Sequence, residues 1–357
     1  MSKRTFAALL YFMLANSVMS ITHAAEASQK QLDDNTEKNK QPDKSKESAL
    51  KACLLNGISS AKSNEKIEDL KKRCLKANDA ELLPVRFLKE KATEENRFVI
   101  TPHRTNYFLP LAFNHSPNQD PYISQNAFPG LDKPVDEAEV KMQISLKVPL
   151  TSQQIFDEND GVYFGFTIKS FWQMYNAPAS SPFRETNYRP EVFYQTAVPE
   201  KSLSGSWYYR LGIEHESNGR TQFLSRSWNR VYLGFGFVQD DWAVYFQPWY
   251  RIKEDPKEVI PGESIPAAGG DDNPDIHRYM GYFELAGIYK TENWQFTTMF
   301  RRNFNTGFGA IELTASFPFS GRLRAFGQYF YGYGESMIDY NALSHRIGIG
   351  LILTELL

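Results

Sequence analysis

Hydrophobic and polar residues alternate along most of the chain after residue 97. In the segment 138–150, for example, Val140 and Met142 alternate with Lys141 and Gln143. Successive side chains of a β-strand point to opposite faces, so this pattern predicts strands with one apolar and one polar face. Twelve such segments predict an all-β fold: 105–114, 138–150, 161–175, 190–198, 203–217, 228–239, 241–253, 277–290, 293–303, 308–317, 322–332 and 343–357.

The connections between the predicted strands alternate in length. Those after odd-numbered strands are mostly long, as at 115–137 and 254–276, and those after even-numbered strands are mostly short, as at 199–202 and 291–292. Outer-membrane barrels have long outer loops and short periplasmic turns. We therefore predict a twelve-stranded antiparallel transmembrane β-barrel at 97–357, with every long loop on the outside.

The polar face of the predicted strands is charged. A soluble β-sandwich or a lipocalin-like barrel is the alternative, and it would bury the apolar face and expose the charged one. A narrow membrane barrel would instead turn its apolar face to lipid and pack polar groups inside. The charged positions assigned to the interior are Lys141, Lys147, Lys169, Arg210, Glu214, Glu284, Glu312 and Arg346.

Composition agrees with a membrane barrel. Of the 51 aromatic residues, 47 follow residue 96, and the net charge of −2 offers no basic footprint for nucleic acid. Tryptophans near strand ends fit the aromatic girdles at the two membrane interfaces. These residues are Trp207, Trp228, Trp242, Trp249 and Trp294.

The amino-terminal quarter of the chain lacks the alternating, aromatic-rich pattern of the barrel. Residues 1–24 have the basic start, short apolar run and small-residue end of a secretory signal peptide. Residues 25–48 hold eleven charges and no aromatic residue, which predicts a disordered linker. In 49–96 we expect a small helical extension. An isolated cysteine pair in an exported chain usually bridges, so we expect a Cys53–Cys74 disulfide there.

Three polar residues share the apolar face of two neighbouring predicted strands. His215 and Ser217 have the parity of Ile213, and Asn229 has the parity of Val231. Polar groups on an apolar face cost free energy, so their placement here indicates a functional role. Ser217 would be a nucleophile, His215 its general base, and Asn229 the group that orients the imidazole. An inert polar cluster at the barrel rim is the alternative.

The motifs around these residues resemble those of the bacterial outer membrane phospholipase A family. The similarity spans roughly 106–357 in collinear blocks. The blocks are Tyr209–Arg220, Ser225–Tyr232, Ser180–Tyr188, Asp272–Tyr282, Asn305–Gly307 and Tyr333–Asn341.

This resemblance implies a calcium-dependent phospholipase that cuts sn-1 and sn-2 acyl esters of phospholipids and lysophospholipids. It implies a homodimer in the outer membrane of a Gram-negative bacterium, with the active site toward the outer leaflet. His215, Ser217 and Asn229 match the family's triad, and the Gly219 N–H matches its oxyanion donor. The matching Ca²⁺ ligands are the Arg220 carbonyl, Ser225, and Ser180 of the partner subunit.

Two other functions stay open at this point: a passive porin and an adhesive barrel. Twelve strands packed with Tyr and Arg leave little room for a pore, and an adhesin would be expected to have larger loops. One departure from the family pattern concerns the dimer. Ile168 stands where a relative has a membrane-embedded glutamine at the interface, so the dimer should rely more on packing and on substrate.

Overall fold

The computed structural model describes the barrel and little of the amino-terminal segment. The predicted signal peptide, the linker and the Cys53–Cys74 disulfide all lie outside the described residues. The described residues are 85–91, 93, 96, 99–151, 154–157, 159–200, 203, 205–220, 222–257, 269–321 and 323–353.

Twelve antiparallel strands form a closed barrel, and a thirteenth short strand, β1, is added to it. The barrel strands are β2 to β13, and β1 pairs with the end of β3. Their bounds are β1 Thr101–Pro102, β2 Tyr107–Asn114, β3 Ala138–Pro149, β4 Asp160–Trp172, β5 Phe183–Glu200, β6 Gly205–Ser217, β7 Ser227–Gln239, β8 Trp242–Ile252, β9 Phe283–Lys290, β10 Gln295–Arg302, β11 Gly309–Ser320, β12 Leu323–Gly332 and β13 Ser344–Ile352.

The last strand closes the barrel on the first. Strand β13 pairs with β2 through Arg346 opposite Asn114, and each other strand pairs with its neighbours in sequence. Closure leaves no unpaired sheet edge, which a lipid environment requires. The predicted strand number and antiparallel order are confirmed.

The apolar face of the sheet points outward. Leu211 and Ile213 are 51% and 52% exposed, whereas Glu214 on the opposite face is 1% exposed. Lys141 and Arg346 are likewise buried inside. A soluble sandwich would show the reverse, so the membrane-barrel prediction is confirmed.

Ion pairs fill the lumen between the strands. Arg184 Nε lies 2.7 Å from Glu139 Oε2, and Arg346 Nε lies 2.9 Å from Glu335 Oε2. Lys141 Nζ reaches the other oxygen of Glu335 at 2.9 Å. Because buried charges are tolerated only when paired, this network makes a charged interior compatible with a compact barrel.

A short helix, α1 (Val85–Lys91), precedes the barrel and contacts it. Arg86 Nη2 donates to the carbonyl of Pro102 at 2.6 Å, and Glu90 pairs with Lys147 at 2.7 Å. Among the described residues, no helix is long and apolar enough to cross a membrane.

Two other short α-helices and a 3₁₀ helix at Gln222–Leu224 lie in outer loops, and one of the α-helices corrects a predicted strand. Helix α2 spans Asp120–Ser124 and α3 spans Ile276–Met280, so the strand predicted at 277–290 begins only at Phe283. The physical reason is local. Asp275 occupies the position before the first helical residue, and Gly281, with φ of 69°, ends the helix.

Strand β5 begins at Phe183 rather than at the predicted residue 190. The missed residues pair with β4, with Tyr188 opposite Ile168, but a register shift leaves Arg184 without a register partner. This bulge allows the consecutive residues Arg184 and Glu185 both to be buried, where Arg184 pairs with Glu139. Because the alternation of faces is broken there, the start of the strand is hidden in the sequence.

The predicted tryptophan girdle is wrong for two of its members. Trp228 is fully buried and Trp249 nearly so, and their rings pack edge to face at 6.1 Å inside the barrel. The Trp228 indole N–H donates to Glu216 Oε2 at 3.1 Å. Trp242 and Trp294 are exposed on the surface, as a girdle requires.

Candidate active site

His215 and Asn229 face each other across two paired strands. They are direct register partners in β6 and β7, on the outer face near the outer ends of both strands. His215 Nδ1 and Asn229 Oδ1 lie 2.9 Å apart. An amide oxygen can only accept, so Nδ1 carries the hydrogen and Nε2 is left as a proton acceptor. The structure thus brings together the predicted base and its orienting group.

Ser217 lies on the same face, two residues farther along β6. Its register partner is Ser227, and both Ser217 and His215 are half-buried. No hydrogen bond joins Ser217 to His215 in the described part of the chain. The strand spacing explains this, since residues two apart on one face are separated by about 6.8 Å. Catalytic hydrogen bonds are often long before substrate binds, so this spacing is compatible with Ser217 as a candidate nucleophile.

Gly219 lies in the loop that follows Ser217. Its φ is 62°, and an added Cβ would meet the Tyr188 ring at 3.1 Å. Asn218 holds this loop, donating to Leu224 O at 2.8 Å and accepting from Arg226 N at 2.9 Å. The Gly219 N–H has no acceptor among the described residues, so it is available to a ligand near Ser217.

The three predicted calcium ligands lie in two outer loops. Ser180, in the loop between β4 and β5, is exposed and has a left-handed φ of 62°. Arg220 and Ser225 lie between β6 and β7, and Arg220 Nη2 donates to the Arg184 carbonyl at 2.6 Å. Within the described residues no hydrogen bond connects Ser180 to Arg220 or Ser225.

Asp272 is a carboxylate that sequence reasoning did not assign to the site. Ser225 Oγ donates to Asp272 Oδ2 at 2.6 Å, and Ser227 Oγ contacts the same oxygen at 3.3 Å. Lys257 forms an ion pair with its other oxygen. The only available signal was its place in the block Asp272–Tyr282.

The donors in this region fit Ca²⁺. They are a backbone carbonyl at Arg220, the hydroxyl of Ser225 and a carboxylate beside it. Calcium prefers such oxygen ligands and tolerates several waters. The described residues contain no cluster of three or more His, Cys, Asp or Glu side chains able to hold a metal ion. A site here would therefore combine a single carboxylate with neutral oxygens and water.

Hydrogen bonds connect the loop that carries Asp272 to neighbouring parts of the barrel. Asn273 Oδ1 accepts from Ser227 N at 2.9 Å, and Asp275 Oδ1 accepts from the Tyr340 hydroxyl at 2.6 Å. Burial, with the nearby Asp275 carboxylate adding to it, raises the pKa of Tyr340. These contacts keep Asp272 next to the start of β7.

Glu254 is a second residue that sequence reasoning did not assign to the site. Its Oε1 accepts from Asn229 Nδ2 at 2.8 Å. It follows β8 at the start of the long loop leading to β9.

An apolar outer wall with a histidine, an asparagine and a serine at its outer rim defines a class: membrane barrels with a candidate hydrolase site. The family model described as Phospholipase A1 matches residues 83–353. The chain belongs to the phospholipase A1 family.

Individual relatives agree with this assignment. The chain is 36% identical over 265 residues to phospholipase A1 of Klebsiella pneumoniae, covering 73% of this chain and 85% of the relative. It is 35% identical over 267 residues to that of Escherichia coli (strain K12), covering 73% and 84%.

Solved structures agree as well. The calcium-bound dimer of the Salmonella typhi outer membrane phospholipase superposes with a TM-score of 0.66 at 34% identity, covering 77% of this chain and all of that one. An E. coli outer membrane phospholipase A with an active-site asparagine replaced by alanine superposes at 0.65 and 33% identity, covering the same shares. The predicted family is confirmed.

Proposed function

We propose that this protein is a calcium-dependent outer membrane phospholipase that is active as a homodimer. It hydrolyses the sn-1 and sn-2 acyl esters of glycerophospholipids, and those of lysophospholipids, at the outer leaflet. The observation that carries this proposal is the 2.9 Å contact between His215 and Asn229 on the lipid-facing wall, beside Ser217. A lipid ester lying along that wall would reach a base and a hydroxyl without leaving the membrane interface.

Acylation would begin with Ser217. Its Oγ attacks the ester carbonyl carbon while His215 Nε2 takes the hydroxyl proton. The Gly219 N–H donates to the developing oxyanion. When the intermediate collapses, the ester C–O bond breaks and His215 returns the proton to the departing glycerol oxygen. Water then repeats the sequence on the acyl-serine and releases the fatty acid.

Asn229 would hold the imidazole in the correct tautomer throughout both steps. Bound Ca²⁺ would supply Lewis-acid polarisation of the ester carbonyl. The residues that would hold the ion are Arg220, through its carbonyl, Ser225, and Ser180 of the partner subunit. The exposure of Ser180 supports a site shared with a partner subunit.

The dimer would form along the apolar outer wall. Ile144, Ile168 and Tyr188 lie side by side on β3, β4 and β5. Ile144 is 56% exposed, so this surface is open to a partner or to lipid. Because Ile168 contributes no polar contact, packing and substrate would hold the two copies together.

For the amino-terminal region we propose the organisation expected above. Residues 1–24 would direct export, and 25–48 would be a disordered linker. Residues 49–96 would form a helical extension closed by a Cys53–Cys74 disulfide. Helix α1 is the described part of that extension.

The test is hydrolysis by the purified full-length protein in detergent, with a phospholipid substrate and with Ca²⁺ or a chelator. We expect turnover only with Ca²⁺, and a loss of roughly a thousandfold or more in Ser217→Ala. Ser320→Ala, at an exposed serine at the far end of β11, is the matched control and should keep full activity. Full turnover by Ser217→Ala would reject the nucleophile, and no turnover by the unmodified protein would favour a porin or adhesive barrel.

A further inference from the structure

The amide of Asn229 is held from both sides. Its Oδ1 accepts from His215 Nδ1 at 2.9 Å, and its Nδ2 donates to Glu254 Oε1 at 2.8 Å. Nothing in the proposed mechanism so far uses Glu254. The Glu254 carboxylate is therefore hydrogen-bonded to the same amide that contacts the His215 imidazole.

The sheet register explains how Glu254 comes to this position. Ile252, the last residue of β8, is the register partner of Asn229. A residue two positions after Ile252 returns to the same face of the sheet. Glu254 is therefore directed to the outer face beside Asn229, although it belongs to the loop.

The carboxylate decides which way the amide faces. A carboxylate can only accept hydrogen bonds, so it requires the NH₂ group of Asn229. The amide oxygen is then turned toward His215, and Nδ1 must carry the hydrogen. Nε2 is left free to accept the proton of Ser217. A flipped amide would present NH₂ to the imidazole and favour the wrong tautomer.

Glu254 also brings a charge that Asn229 lacks. Among the described residues it forms no ion pair, and Arg251, whose register partner Arg230 lies on the opposite face, pairs with Asp271 at 2.6 Å. No cationic side chain of the described residues therefore neutralises the negative charge of Glu254. Hydrogen bonds to charged groups are about twice as strong as neutral ones, and polarisation passes along a chain of them. The imidazolium formed during turnover would be stabilised by this charge.

We infer that Glu254 is a positioning residue of the phospholipase site, acting on His215 through Asn229 in a Ser217–His215–Asn229–Glu254 relay. The inference rests on the proposed function. It assigns Glu254 no contact with substrate.

The first test removes only the charge of Glu254. Glu254→Gln keeps the size and an accepting oxygen, so we expect kcat to fall about fivefold, the difference between a charged and a neutral hydrogen bond. KM should stay unchanged, since Glu254 does not touch substrate. The control is Asp255→Asn, which removes the adjacent exposed carboxylate and should leave kcat unchanged.

A double-mutant cycle separates a relay from local structure. If Glu254 acts through Asn229, then Glu254→Gln should have no further effect in an Asn229→Ala background. An equal fivefold loss in both backgrounds would overturn the relay.

The sharpest test predicts a change of sign. In an Asn229→Asp background, a new carboxylate would orient the imidazole directly and would repel Glu254. Adding Glu254→Gln should then raise kcat, by about threefold or more, because the like charges are gone and the new amide can donate. A purely structural Glu254 would lower kcat in both backgrounds, and that result would refute the inference.

The outcomes distinguish this inference from the proposed function. Ca²⁺-dependent hydrolysis that is lost in Ser217→Ala, together with wild-type kcat in Glu254→Gln, rejects the relay and keeps the phospholipase. No hydrolysis by the unmodified protein rejects both. Heat-modifiable migration on gels confirms that each variant is folded, and Glu254→Ala, which also removes the charge, replaces Glu254→Gln if that variant is not.

Discussion

Replacing Gly219 by alanine tests the oxyanion donor without removing it. Gly219→Ala keeps the backbone N–H, so any effect must come from moving that group. The glycine has φ of 62°, a conformation that costs an L-residue about 1–2 kcal/mol. The new Cβ would also lie 3.1 Å from the Tyr188 ring, closer than the optimum of about 3.5–4.0 Å between carbon atoms.

The backbone cost should dominate this prediction. Tyr188 is 39% exposed, so its ring can move aside at little cost. If the loop relaxes to relieve 1–2 kcal/mol, the N–H leaves its position and kcat should fall about 5- to 30-fold. That is less than the roughly 100- to 1,000-fold expected when an oxyanion donor is lost completely. The barrel should remain folded because Gly219 lies outside the strands.

The assay is the initial rate of phospholipid hydrolysis in detergent at saturating Ca²⁺, over a range of substrate concentrations. Gly321→Ala is the matched control, since Gly321 has a similar φ of 56° with open space around it in a turn far along the sequence from the site. We expect it to keep kcat. Wild-type kcat in Gly219→Ala, or equal losses in both variants, would refute the assignment of Gly219 as donor.

Three further predictions concern the triad, the dimer and the lumen. Asn229→Ala should lower kcat roughly tenfold to a thousandfold, less than Ser217→Ala, in the same hydrolysis assay; equal inactivity would mean that Asn229 also holds the fold. Mixing inactive Ser217→Ala with inactive Ser180→Phe should restore activity through mixed dimers. Mixtures that stay inactive despite cross-linked mixed dimers would place all calcium ligands within one chain. Burial opposes ionisation of Glu335, but Arg346 and Lys141 hold its pKa below 4.5. This carboxylate therefore stabilises the fold at neutral pH, and its contribution is lost as the pH falls below that value. Glu335→Gln should lower the unfolding temperature at pH 7, and a deficit that did not shrink toward pH 3 would contradict this reasoning.

The sequence alone determined the architecture and half of the candidate site. Alternation of apolar and polar residues has a period of two, so it reports which face each strand turns to lipid. That parity placed His215, Ser217 and Asn229 on the outer wall, where the structure has them. Trp228 precedes Asn229 by one residue, so its side chain points to the opposite face of the sheet. The same alternation therefore predicts that Trp228 lies inside the barrel.

Tertiary structure decided the features that depend on partners distant in sequence. Arg184 and Glu185 hid the start of β5, because only the folded barrel brings Glu139 to Arg184 across 45 residues. Asp272 reaches Ser225 across 47 residues. Glu254 reaches Asn229 because the register of β7 and β8 places Ile252 opposite it. Local patterns report the face of a strand, but a side chain's partner depends on register and loop path, which closure of the whole barrel determines.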